Sequence, residues 1–192
     1  MTVSDDFIIS SPYSDSNHLL NIKDLAEPFR IIALALQMFE PIDGQYASQR
    51  YDAAFDLERV RKWINEYVKV NGVKFPQTSA YIIAFRSILK DEIINDSQKR
   101  AFLSAMDKES HMLANLSGGL LKYWFGVPNP KTNQNLATCW WSSKAEAKRG
   151  GNNKPHQKAV MNARTWYKLW RVEEYEFTLS EDAISYSFVE MK

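Results

Sequence analysis

The residues that could do chemistry in this chain are few and scattered. His156 follows Pro155 at the start of a predicted helix, on the side that carries Val160 and Ala163. A helix N-terminus disfavours imidazolium, so a histidine there is a candidate neutral general base. The same side chain could instead cap or bond to the loop before it. Arg86 lies in the predicted strand 80–90, AYIIAFRSILK, on the face shared with Ile82, Ala84 and Ile88. Such an arginine either packs its stem and reaches a carboxylate or the rim, or clamps an anion inside a cavity. Trp124 and Trp140 sit on two predicted strands that return on each other, and are candidate substrate-binding surfaces. Cys139 lacks a defined partner and reads as a buried structural thiol rather than a nucleophile. No Ser-His-Asp order, Walker loop or paired catalytic carboxylate can be picked out.

Two further chemistries find little support. Three histidines far apart and one cysteine make a poor zinc set. Arg149-Gly150-Gly151 ahead of a helix invites a phosphate reading, as in acyl-coenzyme-A-dependent acetyltransferases. The second alternating glycine is missing, however, because Asn152-Asn153 follows.

The elements that must position these groups follow from periodicity and breakers. Residues 1–24 are rich in Ser, Asp and Asn and are expected to be a flexible tail, with Phe7-Ile8-Ile9 able to dock it. The apolar run 29–39 fits a buried strand or a buried helix: its Ala, Leu and Met favour a helix, its end before Pro41 and Asp43-Gly44 fits a strand equally well, and a strand is the expectation. Residues 56–70 read as a helix capped by Asp56 and ended by Asn71-Gly72. Residues 96–116 read as another, with Phe102, Met106, Leu113 and Leu116 inward and His111 in solvent; His18 is also placed in solvent. Strands are expected at 120–127, 136–142, 171–179 and 184–190, with the helix from Pro155 running through Tyr167 and Trp170.

From Ala80 the order is strand, helix, strand, strand, helix, strand, which is the ferredoxin-like arrangement. The expected fold is α+β: an antiparallel sheet with helices on one face, preceded by an N-terminal strand–helix extension. A single domain covers 25–192, with its ferredoxin-like core at about 80–190. The other sheet face, with Trp124 and Trp140, needs cover from a second copy or from the extension.

The run from Tyr81 to Val189 resembles the dimeric α/β-barrel superfamily, which includes antibiotic-biosynthesis-type monooxygenases and haem-degrading enzymes. The stretches SGGLLKYWFG, NLATCWWSS and KRGGNNKPH also resemble a fungal protein family of about this length that brings no known activity with it. The superfamily resemblance implies a pocket for a small hydrophobic or aromatic molecule, a homodimer, and chemistry that often needs no metal or flavin. His156 would be the base and Arg86, Trp124 and Trp140 would hold the substrate. A haem reading would make His156 the axial ligand, but bulky aromatics argue against the cavity it needs, so no cofactor is expected. The reading opposed to an enzyme is an interaction or scaffold protein that has lost the pocket.

Composition narrows the partners. Lys and Arg number 24 against 23 Asp and Glu, which speaks against a nucleic-acid partner. The longest apolar run is too short to span a bilayer, no secretory leader is recognisable, and the lone cysteine fits a reducing compartment. The expectation is a cytoplasmic or nuclear protein without a membrane partner.

Overall fold

The computed structural model describes residues 6–154, 157–158, 161 and 165–191. The chain opens with a short antiparallel ribbon, β1 (Phe7–Ile8) on β2 (Leu20–Asn21). Helix α1 (Glu27–Ala35) follows, prolonged by a tighter turn over Leu36–Met38. The strand expected at 29–39 is therefore a helix. Pro28 sits in its first turn, where a missing N–H is harmless, and Ala33, Leu34, Ala35 and Leu36 favour helix. Ile31, Ile32, Ala33, Ala35 and Leu36 are all buried, so the helix is covered nearly all round and its sequence shows no polar stripe.

Helix α2 (Tyr51–Ala54) leads to α3 (Leu57–Asn71). The Asp56 carboxylate accepts from Arg59 N at 2.9 Å, and Gly72 releases the far end at φ +62. Strand β3 (Thr78–Leu89) precedes α4 (Asp91–Ile94) and the long α5 (Ser97–Ser117). Asp96 caps α5 through Gln98 N and Lys99 N, and Gly118 and Gly119 turn the chain at φ +85 and +77. Then come β4 (Leu120–Phe125), β5 (Gln134–Trp141), α6 (Lys144–Gly151), β6 (Tyr167–Leu179) and β7 (Tyr186–Glu190). Tyr167 and Trp170, expected on a helix, open β6. The long β3 offers backbone partners as far as Leu89, and the Tyr-Lys-Leu-Trp-Arg-Val run suits a strand.

The five strands lie in the order β4-β5-β3-β6-β7, every neighbour antiparallel. With α5 between β3 and β4 and α6 between β5 and β6, this is the ferredoxin-like α+β topology with one strand added at the β6 edge. Side-chain alternation gives the sheet two faces. One carries Ile82, Ala84, Leu136, Trp140, Phe177 and Leu179 and packs on α1 and α3 in the main core. The other turns towards α5 and α6, where Tyr81, Leu120, Trp141 and Ala147 form a smaller cluster. The chain's own N-terminal helices thus cover the tryptophan face. Among the described residues no helix is long and apolar enough to cross a membrane.

Candidate functional site

Arg86, Trp124 and Trp140 share the face that the N-terminal helices cover, and that face is closed. Trp140 is 0% exposed, and its ring meets Phe39 and Phe177 edge-on at 5.4 Å. Its Nε1–H donates to the Tyr51 hydroxyl at 3.0 Å. Thr138 Oγ1 donates to Ile83 O at 3.0 Å, so the Tyr51 hydroxyl is the donor in its 2.9 Å bond to Thr138. The relay is satisfied at every atom, as buried polar groups require. Trp124 stands edge-on to Tyr46 at 5.2 Å and to Phe55 at 5.3 Å.

Arg86 is 3% exposed, and the carboxylate reading of its role is the one observed. Its Nε donates to both oxygens of Glu173 at 2.9 and 3.0 Å, while Nη1 donates to Tyr46 O at 3.2 Å and Ala47 O at 2.7 Å. Burial pushes the Glu173 carboxyl up, but the Tyr175 hydroxyl and the Arg171 and Arg86 guanidiniums hold it below the usual range. Arg86 thereby ties the 43–50 loop to the sheet. His156 lies outside the described residues, and with it the base and axial-ligand readings.

The opposite face differs. Ile83, Phe85, Ala137 and Cys139 occupy the middle strands, yet each keeps accessible surface, while Ile82, Ala84, Leu136 and Thr138 beside them are buried. Cys139 is deeply surrounded all the same: burial pushes its thiol well up. These four side chains lie on the face of the sheet turned towards α5. Phe85 meets Trp170 at 5.7 Å at one end, and Phe125 meets Tyr123 at 5.7 Å at the other.

Helix α5 turns a polar side towards this region. Met106 and His111 are buried and Leu103, Asp107, Ser110 and Ala114 are half-buried, a run at helical spacing. Phe102 and Leu116, expected inward, are 43% and 73% exposed. Asp107 accepts from the hydroxyls of Tyr13 and of Tyr123, the latter at 2.6 Å. Burial raises its carboxyl above the ordinary range, against the pull of those two hydrogen bonds. Burial, with the Asp107 charge second, raises the Tyr13 phenol, and Tyr167 is pushed up to about 12 by the same two causes.

Both histidines expected in solvent belong to this cluster. His18 and His111 are 2% and 4% exposed, and their Nδ1 atoms lie 2.7 Å apart. The His111 ring stacks on Tyr123 at 5.5 Å, and Tyr13 leans over both imidazoles at 4.9 and 5.4 Å. The signal that could have found this group is the polar side of α5 itself: Asp107, Ser110 and His111 at spacings of three and four.

The glycine pair has a packing role at Gly150. A Cβ there would collide with the Trp141 ring, so the close approach of α6 to β5 requires glycine. Arg149 pairs with Glu146 and donates to Ser117 O at 2.7 Å, leaving it committed to the protein. Beside it an open groove of about 600 Å³ is lined by Ala145, Lys148, Arg149, Gly151, Asn152 and Gln157. Among the described residues no three His, Cys, Asp or Glu side chains are grouped to hold a metal.

Comparison with known proteins places the chain. Residues 9–190 match the PB2B2.08-like family. The UPF0643 protein PB2B2.08 of Schizosaccharomyces pombe is 44% identical over 188 residues, covering 97% of this chain and 86% of that protein. Among solved structures, Rv0793 from Mycobacterium tuberculosis is similar over 50% of this chain and 92% of its own, with 13% identity and a TM-score of 0.40. A Chloroflexus aurantiacus protein described as an antibiotic biosynthesis monooxygenase is similar over 50% of this chain and 89% of its own, with 21% identity and a TM-score of 0.37. On the family match and the yeast relative together, the chain belongs to the PB2B2.08-like family.

Proposed function

We propose that the protein binds a small, largely apolar molecule, aromatic in its best-fitting form, in the recess between α5 and the helix-side face of the sheet. The observation that carries this is the surface kept by Ile83, Phe85, Ala137 and Cys139 in the middle of a sheet whose reverse is closed. A packed core seals the middle strands first and leaves the edges accessible; here the middle is left open on one side. Phe85, Phe125, Tyr123 and Tyr167 give the recess an aromatic lining, and Asp107 with its phenols supplies a polar end. Apolar walls with a few convergent polar groups are the ordinary make-up of a ligand site. Arg86, Trp124 and Trp140 serve the site from behind by holding the sheet rigid. His156 as a general base is part of the proposal, on the sequence reading alone.

The test is a filled recess. Cys139→Phe places bulk on the floor without touching the sealed face. Native mass spectrometry of protein purified from cells should find a small molecule on the wild type that the variant has lost, with both folded. His156→Ala should retain the molecule and lose its turnover. Both Cys139→Phe and the wild type emerging free of any bound small molecule would count against the recess. The same molecule at equal occupancy on both would place its site elsewhere.

A further inference from the structure

Residues 7–21 form a strap that crosses α5 and meets the outer edge of β4 at Tyr123. Tyr123 N donates to Ser10 O at 2.8 Å, Asn115 Nδ2 donates to Leu19 O at 2.8 Å, and Lys108 pairs with Asp15 at 2.8 Å. The strap's own ribbon is only two residue pairs long, Phe7 with Asn21 and Ile8 with Leu20. Leu20, with Ile8 beside it, anchors the end of the strap in the main core; between Ser10 and Leu19 the attachment rests on one backbone bond and on side chains, and the most buried of these contacts is His18 against His111.

Two imidazoles joined Nδ1 to Nδ1 at 2.7 Å share one proton on that line. The Asp15 carboxylate, 3.6 Å from His18 Nε2, favours the N–H there. His18 Nδ1 is then the acceptor, His111 Nδ1–H the donor, and His111 Nε2 a bare lone pair. That atom is sealed from solvent and has no hydrogen-bond partner among the described residues. A further proton has no good place. On His18 Nδ1 it would set two N–H groups head-on, unless His111 moved its own proton to Nε2, where it would meet no acceptor. The other groups that bear on the pair are Asp15 and Tyr13 from the strap, Asp107 and Lys108 from α5, and Tyr123 from β4.

We infer that the His18–His111 pair is a proton-sensitive latch: protonating it releases the strap from α5 and β4 while the five-stranded sheet and its sealed face stay folded. Burial first, and then the charge of His18, hold His111 down to about 4; burial likewise lowers His18, against the pull of Asp15. Released, the pair returns to the ordinary histidine range near 6.5. The strap also carries Tyr13 over Asp107, so its release uncovers the β4 side of the recess. In that last respect the latch rests on the proposed binding site; the release itself does not.

Amide exchange of the intact chain, corrected for the intrinsic effect of pH, reads the strap without any ligand. Between pH 7 and pH 4.5, exchange of strap amides and of Tyr123 N–H should rise on the order of 50-fold, while β3 and β5 stay protected. His18→Asn and His111→Asn should flatten this rise, and Asp107→Asn should keep it. A flat wild-type profile, or a rise that survives in both histidine variants, would overturn the latch. So would a rise lost only in Asp107→Asn, which would assign the release to the carboxylate. If the histidine variants free the strap at every pH, imidazole resonances of the wild type decide. His18 and His111 should titrate with the same midpoint as strap release, and separate midpoints would contradict it.

Discussion

Ile82 and Ile83 are neighbours on one strand, and they live in different environments. Ile82 is wholly buried among the side chains of the N-terminal helices; Ile83 faces α5 and keeps accessible surface. The same contrast runs across the sheet, with Ala84, Leu136, Thr138 and Trp140 closed on one side and Phe85, Ala137 and Cys139 partly open on the other. The polar groups follow it. On the closed face Arg86, Glu173, Tyr51 and Thr138 are paired into complete networks. Towards α5, Ser10 Oγ, Ser110 Oγ and His111 Nε2 are left without partners among the described residues. One face is closed by the chain itself; the other keeps accessible surface and unpaired polar atoms among the described residues.

The largest effect should come from the closed face. Arg86→Ala takes the buried guanidinium from the Glu173 carboxylate, which keeps only Arg171 and the Tyr175 hydroxyl, and leaves Tyr46 O without its donor; it should cost about 3 kcal/mol in denaturant unfolding. Replacing Arg86 and Glu173 together with apolar residues should cost less than the single change, because the buried carboxylate is then removed with its main partner. If the single change costs nothing, the closed face is not as dry as its burial says.

Next in size is the acid response of the open side. His111 is held near 4 in the folded chain against about 6.5 when unfolded. The unfolded state therefore takes up the proton first, so the contribution of His111 to stability is constant well above pH 6.5 and is lost from there towards pH 4. The loss is on the order of 3 kcal/mol when read by unfolding at successive pH values, and less if the strap lets go locally. Carboxylates held low, such as Glu173 and Glu174, act in the window beneath, as pH falls below their ordinary range near 4.5. His111→Asn should shrink the upper part of the profile, where His18 remains, and leave the lower part.

The smallest contrast is the fairest one. Ile82→Ala should cost about 3 kcal/mol, as a core truncation does, and Ile83→Ala about 1 kcal/mol, since part of its surface was never removed from solvent. Equal costs would erase the difference between the two faces.

Much of the fold was legible because local signals agreed with it. Asp56, Asp96 and Gly72 act as caps and stops where their chemistry predicts, and alternation along 80–89 assigns every side chain of β3 to its face. The helix at 27–35 was not legible, since burial on nearly every side removes the stripe that reveals a helix. The start of β6 was missed because Tyr167 and Trp170 suit either period, and only the length of β3 decides. The candidate site was hidden by a rule that ordinarily holds. Apolar residues of α5 were set inward, and the chain instead turns Asp107, Ser110 and His111 to the protein and Phe102 and Leu116 to solvent. On that side of α5, hydrogen bonds of Asp107 to Tyr13 and Tyr123 and of His111 to His18 take the place of apolar contacts. Arg86 and the tryptophans drew notice through unusual residue types in strands, and those types proved to be the hardware of the closed face.

The binding proposal can be tested at Ile82 and Ile83 themselves. With isoleucine methyls labelled for NMR, small aromatic fragments titrated into the intact protein should shift the Ile83 methyl and leave that of Ile82 in place. Cys139→Phe should abolish the Ile83 response. Fragments that bind and leave Ile83 unmoved, or that move both residues equally, would contradict a ligand site on the open face of the sheet.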